Sequence, residues 1–160
     1  MASTIDAQDL LALVQLHADY AALADSGDWD RWCELFTDDC NYRLVPRENH
    51  ERGFPLATLA FTSKGMLKDR AYAIRETLFH DPYYQRHVIG LPRVLSVQPG
   101  RWCCESNYAV FRTKFNGLST VFNVGRYLDT VVATPGGLRF AEKLVVYDSE
   151  MIPNSIIYPV

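Results

Sequence analysis

Three short turn signals, "QPGR", "FNGL" and "TPGG", divide the second half of the chain into long runs of strand-like sequence. From residue 120 to 132, Phe122, Val124, Leu128 and Val132 alternate with Asn123, Gly125 and Asp129. From 138 to 147, Leu138, Phe140, Leu144 and Val146 stand against Arg139 and Lys143. A period of two is the signature of a strand whose side chains point to opposite faces. Consecutive strands joined by tight turns make an antiparallel meander, and its apolar face must be covered. On this pattern the Asp129 and Lys143 side chains belong to the other, solvated face.

The first half supplies the cover. Leu10, Leu13, Val14, His17, Ala21 and Ala24 recur at steps of three and four, which makes one apolar helical stripe. "DSGD" ends that helix, with Gly27 as its C-terminal punctuation. A second, short helix follows Asp28 as N-cap and groups Trp29, Trp32, Cys33 and Phe36 on one face. "NYRLV" reads as a first strand, residues 46–62 as a long loop, and residues 63–78 as a third helix carrying Leu67, Ala71, Ile74 and Leu78. Helices followed by a twisted antiparallel sheet define an α+β fold. A long curved sheet wrapped around helices gives a cone with a central cavity. With 160 residues, no internal repeat and no linker, a single domain over residues 1–160 is expected.

Charge narrows the partners. The net charge is −3 and the basic residues are scattered, so neither nucleic acid nor an anionic membrane surface is expected. The N-terminal stretch has early acids and no basic region, unlike a secretory signal. No apolar run approaches the ~20 residues that span a bilayer. Cys33, Cys40, Cys103 and Cys104 match no zinc spacing, so reduced structural thiols in a cytoplasm are expected. Aromatic residues make up 12%, enough to enlarge a core or furnish an interface.

Several groups could carry chemistry. "HDPYYQRH" places His80, Asp81 and His87 within eight positions, the residue types of a mononuclear iron(II) site. On a strand, however, His80 and His87 would be roughly 23 Å apart. On a helix they would be about 10 Å apart along the axis, and Pro82 disfavours a helix. The segment is better read as the start of the meander, exposing Tyr83, Tyr84, Arg86 and His87. No cysteine lies two or three positions from a histidine, as a Rieske cluster requires. Asp25, Asp129, His17 and His50 are the candidates for a general base inside the cone. His17 lies in an apolar stripe, where a satisfied core histidine is the default. Cys103 and Cys104 would point to opposite faces of a strand and could not act together. The aromatic and basic stretches "DPYYQRHVIGLPR" and "NSIIYPV" suit a protein interface, with Tyr83, Tyr84, Arg86, His87 and Tyr158 as contact residues.

The stretches "DWDRWCELFTDDCNYRL", "PRENHERGFPL", "MLKDRAYAIRET", "YYQRHVIGLPRVLSV" and "YDSEMIPNSIIYP" run nearly end to end. Through them the chain resembles the small (β) subunits of aromatic-ring-hydroxylating oxygenases. "RENHERG", "DPYYQRH" and "SEMIPNSIIYP" are most similar to the salicylate 5-hydroxylase branch, which forms gentisate. The resemblance implies a cone-shaped NTF2-like domain that is a non-catalytic structural subunit. It implies a large (α) subunit carrying a Rieske [2Fe–2S] cluster and mononuclear Fe(II). Electrons would come from NAD(P)H through a reductase and a ferredoxin, and the assembly would be α3β3. No catalytic, cofactor-binding or metal residue is carried over. The alternative is a free-standing isomerase or dehydratase of the same fold using an Asp or His base, because fold alone does not assign function.

Overall fold

Asp6 opens the first helix by accepting a hydrogen bond from the Asp9 backbone N–H at 2.7 Å. Gly27 closes it in the left-handed region, at φ 71°, which lacks a steric cost only for glycine. In the computed structural model, which describes residues 5–153 and 155–160, this helix is α1 (Ala7–Ser26). The first four residues and Asn154, the latter inside the "NSIIYPV" stretch, lie outside the described residues. The buried stripe of α1 is Leu13, Leu16, His17, Tyr20 and Ala24. It is rotated from the expected one: Tyr20 and Leu16 face inward while Leu10 is exposed.

Asp28 caps α2 (Trp29–Cys33), whose Trp29, Trp32 and Cys33 are buried. Phe36 leaves the helix and begins β1 (Phe36–Pro46). The expected loop after it contains α3 (Arg47–Arg52) and β2 (Leu59–Phe61), elements too short to show a period. Ser63 caps α4 (Lys64–Glu76), which buries Leu67, Ala71 and Ile74. The remaining strands are β3 (Tyr83–Ile89), β4 (Arg93–Gln98), β5 (Arg101–Lys114), β6 (Ser119–Thr134) and β7 (Gly137–Tyr147).

The sheet runs β2-β1-β7-β6-β5-β3, with β4 also paired to β5. It is mixed rather than wholly antiparallel, because β1 lies parallel to β7 with Tyr42 opposite Lys143. The helices pack on its concave side around an aromatic core. Tyr20, Trp32, Phe36 and Phe140 meet with ring centroids 4.9–6.4 Å apart, distances at which edge and tilted contacts are favourable.

Phe122 is buried as the alternation suggests, but from Asn123 to Val131 the inward face is the reverse of the expected one. In β6 it carries Asn123, Tyr127, Asp129 and Val131, while Val124 and Leu128 face out. In β7 a bulge between the pairs Thr130↔Glu142 and Val131↔Phe140 switches faces, so Phe140, Lys143, Val145 and Tyr147 point inward together. Lys143 is fully buried and Asp129 is 3% exposed. Both faces of these strands carry apolar residues, and which face is covered depends on the polar groups finding partners inside.

Gly125 of β6 lies opposite Tyr147 of β7. A Cβ there would lie 2.0 Å from the Val146 carbonyl oxygen and 2.8 Å from the Tyr147 Cα, and backbone cannot move aside locally. Gly125→Ala is therefore expected to lower the unfolding free energy by about 1–3 kcal/mol. Urea denaturation of the variant checks this, and an unchanged midpoint would contradict it.

Candidate functional site

The polar side chains inside the cone form two groups. The first is built on Lys143, whose Nζ lies 3.0 and 3.2 Å from the two Asp129 oxygens. The same nitrogen stands 3.7 Å from the Tyr127 ring centre and 4.4 Å from those of Tyr20 and Phe140. Aromatic faces carry partial negative charge, so this cage and the carboxylate together receive the amine. Burial pushes Lys143 below the ordinary lysine range, and Asp129 opposes that shift. Across from Lys143, His17 Nε2 meets Asp129 Oδ2 at 2.9 Å and His17 Nδ1 meets the Leu13 carbonyl at 2.8 Å. A carbonyl only accepts, so Nδ1 donates and the ring is fixed on its helix.

His17, Cys104 and Asp129 also place one ligand atom each within 4.8 Å of one another, a set that could hold a metal ion. The fit is poor. Lys143 Nζ already occupies the cation position beside Asp129, and burial pushes the Cys104 thiol up to about 12, whereas a ligating thiol must be deprotonated. The arrangement carries its own cation.

The second group joins α1 to β3. Asp25 accepts from the His87 backbone N–H at 3.0 and 3.1 Å and from His87 Nδ1 at 2.6 Å. Of the candidate bases, His17 thus pairs with Asp129 and Asp25 with His87. His50 stands apart on α3, which has no buried residue. The His80, Asp81 and His87 side chains reach three different partners: the Tyr158 hydroxyl, Lys114 Nζ and Asp25.

Strand geometry also separates the expected contact residues. On β3, Tyr84 (74% exposed) and Arg86 point outward, while His87 is buried beneath α1. The expectation that all of these lie on one surface fails because alternate strand residues face opposite sides. Tyr83 and Tyr158 are half-buried and pack on each other, ring centroids 4.9 Å apart. Outward-facing Val88 is opposite Ala109, Arg86 is opposite Phe111, and Phe111 is opposite Val121. With exposed Tyr84, Val88 and Val121, this makes an apolar outer face across three strands.

Several hollows open on the surface. One of about 660 Å³ separates α3 from the segment after β7, between Arg47, Asn49, Arg52, Asp148 and Glu150. Another of about 410 Å³ on the outer sheet face is lined by Arg43, Leu95, Leu128, Glu142 and Leu144. Neither gathers an acid–base pair outside the buried ones. Among the described residues, no helix is long and apolar enough to cross a membrane.

Comparison with known proteins agrees with this architecture. Residues 6–143 match the SnoaL-like domain. The anthranilate 1,2-dioxygenase small subunit of Burkholderia cepacia is 34% identical over 157 residues, 98% of each chain. The beta 1 subunit of the terminal oxygenase component of terephthalate 1,2-dioxygenase from Comamonas sp is 31% identical over 149 residues, 93% of this chain and 97% of that one. Among solved structures, a beta subunit assigned to an aromatic-ring-hydroxylating dioxygenase of Novosphingobium aromaticivorans superposes with a TM-score of 0.87 at 31% identity. That match covers 95% of this chain and 97% of the other.

Removing one partner of a buried pair leaves the other unmatched, so Lys143→Ala is expected to cost about 3–5 kcal/mol. Lys143→Met, which refills the volume, should cost less. A lysine held below its ordinary 10.5 binds fewer protons in the folded chain than in the unfolded chain as pH climbs towards that value. Stability of the wild type relative to Lys143→Met should therefore rise as pH climbs towards 10.5. Denaturant melts of both proteins across that window check the slope.

Proposed function

Since the chain belongs to the SnoaL-like domain family, and within it to the small subunits of aromatic-ring-hydroxylating dioxygenases, we propose that it is the non-catalytic accessory subunit of a Rieske-type enzyme hydroxylating salicylate, to gentisate, or a closely related benzoate. The observation that carries this reading is the end-to-end relation to a small subunit named for anthranilate. Anthranilate and salicylate differ in bearing an amino or a hydroxyl group beside the same carboxylate. The resemblance of "RENHERG" and "SEMIPNSIIYP" to the salicylate 5-hydroxylase branch supports the hydroxyl-bearing member.

In this reading the Rieske [2Fe–2S] cluster and mononuclear Fe(II) reside in a large subunit, and NAD(P)H electrons reach it through a reductase and a ferredoxin. This chain binds the large subunit and copies of itself in an α3β3 assembly in the cytoplasm. An obligate interface of this kind commonly exceeds ~2,000 Å². The outer face of β3, β5 and β6 has the required character, with an exposed tyrosine and arginine among aliphatic side chains. Tyr84 and Arg86 reach the partner directly. Tyr83, His87 and Tyr158 act from beneath by holding the strand and the C-terminal segment in place.

Tyr84→Ala combined with Arg86→Glu should weaken assembly with the large subunit at least tenfold while the isolated small subunit melts as before. Size-exclusion chromatography of the co-expressed subunits measures this. Product analysis of the assembled enzyme on hydroxy- and aminobenzoates tests the substrate, with gentisate expected from salicylate. A chain that never co-purifies with an iron–sulfur large subunit, or that turns over substrate alone, would overturn the accessory role.

A further inference from the structure

The outer face of β3, β5 and β6 is ordered in rows. Tyr84 stands opposite Thr113, and Thr113 opposite Ser119. In the next row Arg86 stands opposite Phe111, and Phe111 opposite Val121. Directly paired residues share a face of the sheet, so each row presents its side chains together. At these rows opens a hollow of about 320 Å³, lined by Tyr84, Gln85, Arg86, Phe111, Thr113 and Ser119.

The hydrogen-bonding character of this hollow is one-sided. Arg86 is its only charged residue. The Arg86 side chain is 77% exposed, and its ion pair with Asp25 is loose, 3.9 Å from Oδ2. Asp25 is already committed, accepting three hydrogen bonds from His87. The cations of β5 are engaged elsewhere: Arg112 lies over the Tyr83 and Phe122 rings, and Lys114 donates to Asp81 at 2.8 Å. The Thr113 and Ser119 hydroxyl oxygens lie 2.7 Å apart, so one donates to the other and the second keeps its own proton to donate. The Gln85 amide is turned towards α1, donating to the Ala24 carbonyl at 3.0 Å. A guanidinium and a hydroxyl thus face the hollow as donors, and no acidic side chain lines it.

We infer that this hollow receives a carboxylate side chain, an aspartate or glutamate, of the large subunit. The inference rests on the accessory-subunit reading above and adds the chemistry of the contact. A guanidinium fork donates two parallel N–H bonds to a carboxylate, and the free hydroxyl would add a third. The Tyr84 and Phe111 rings would shield these bonds from water, as the surroundings of strong interface contacts do. In a chain of net charge −3, a carboxylate is drawn here by this arginine and not by the overall field. Exposed Phe115 and Leu118 follow on the β5–β6 turn and extend the apolar surface that such a charged contact would orient.

The test is the affinity of the small subunit for the co-expressed large subunit at about 50 and 500 mM NaCl, between which the Debye length falls roughly threefold. Wild-type affinity should fall with salt. Arg86→Gln should weaken the complex about tenfold at low salt and reduce the salt response, because hydrogen bonds to a charged group are lost. Arg86→Lys keeps the charge without the fork and should fall between the two. Thr113→Val with Ser119→Ala should weaken the complex about threefold and keep the salt response. Unchanged melting of each isolated variant shows that it folds. An Arg86→Gln complex as tight or as salt-sensitive as the wild type overturns the inference and leaves the accessory role standing. So does an Arg86→Lys complex no tighter than Arg86→Gln. A wild type that never pairs with the large subunit overturns both.

Discussion

Lys143 carries its amine into a space walled by Tyr20, Tyr127 and Phe140, and the surrounding elements are placed to receive it. Asp129 comes from the neighbouring strand β6 and His17 from α1. A second tie, from Asp25 to His87, follows eight residues along the same helix, about 12 Å of axis at the usual rise. The two ties land on β6 and β3, so α1 cannot slide or rotate on the sheet without losing both. The aromatic rings then pack around a helix whose position polar contacts have set. Dispersion and burial supply most of the stabilisation, while the ion pair and the dyad make one arrangement of the helix unique.

Much of this was open to a reader of the sequence. The cap at Asp28, the stop at Gly27 and the turns at "QPGR", "FNGL" and "TPGG" mark element ends through local chemistry, and the structure keeps them. What local chemistry does not carry was lost. Counting back from the pair Thr134↔Gly137, Asp129 should face Glu142, but the bulge moves it opposite Lys143. A single inserted residue thus hid the buried pair. The one available signal was the lysine of "EKLVVY", which is followed directly by an apolar run. Likewise β1 pairs with β7 across most of the chain, and nothing within either segment announces a parallel partner.

The functional reading follows from how the polar groups are used. Inside the cone, the likeliest acids and bases of the sequence are bound to one another: His17 to Asp129, Asp25 to His87. They hold the fold together. Outside, Tyr84, Val88 and Val121 leave apolar surface exposed on the outer face of the sheet. Large exposed apolar faces of this kind mark contact with other chains. The similarity to small subunits of ring-hydroxylating dioxygenases accords with that division, with structure inside and association outside.

The parallel pairing of β1 with β7 has a further consequence for biosynthesis. Residues 36–46 emerge from the ribosome long before residues 137–147, and until then β1 has only the three-residue β2 beside it. Pairings between such distant segments form slowly, and open strand edges invite aggregation meanwhile. The nascent chain must therefore keep one flank of its sheet unzipped until residues 137–147 have been made. Chaperone demand and low expression yield should be most sensitive to changes in that waiting strand.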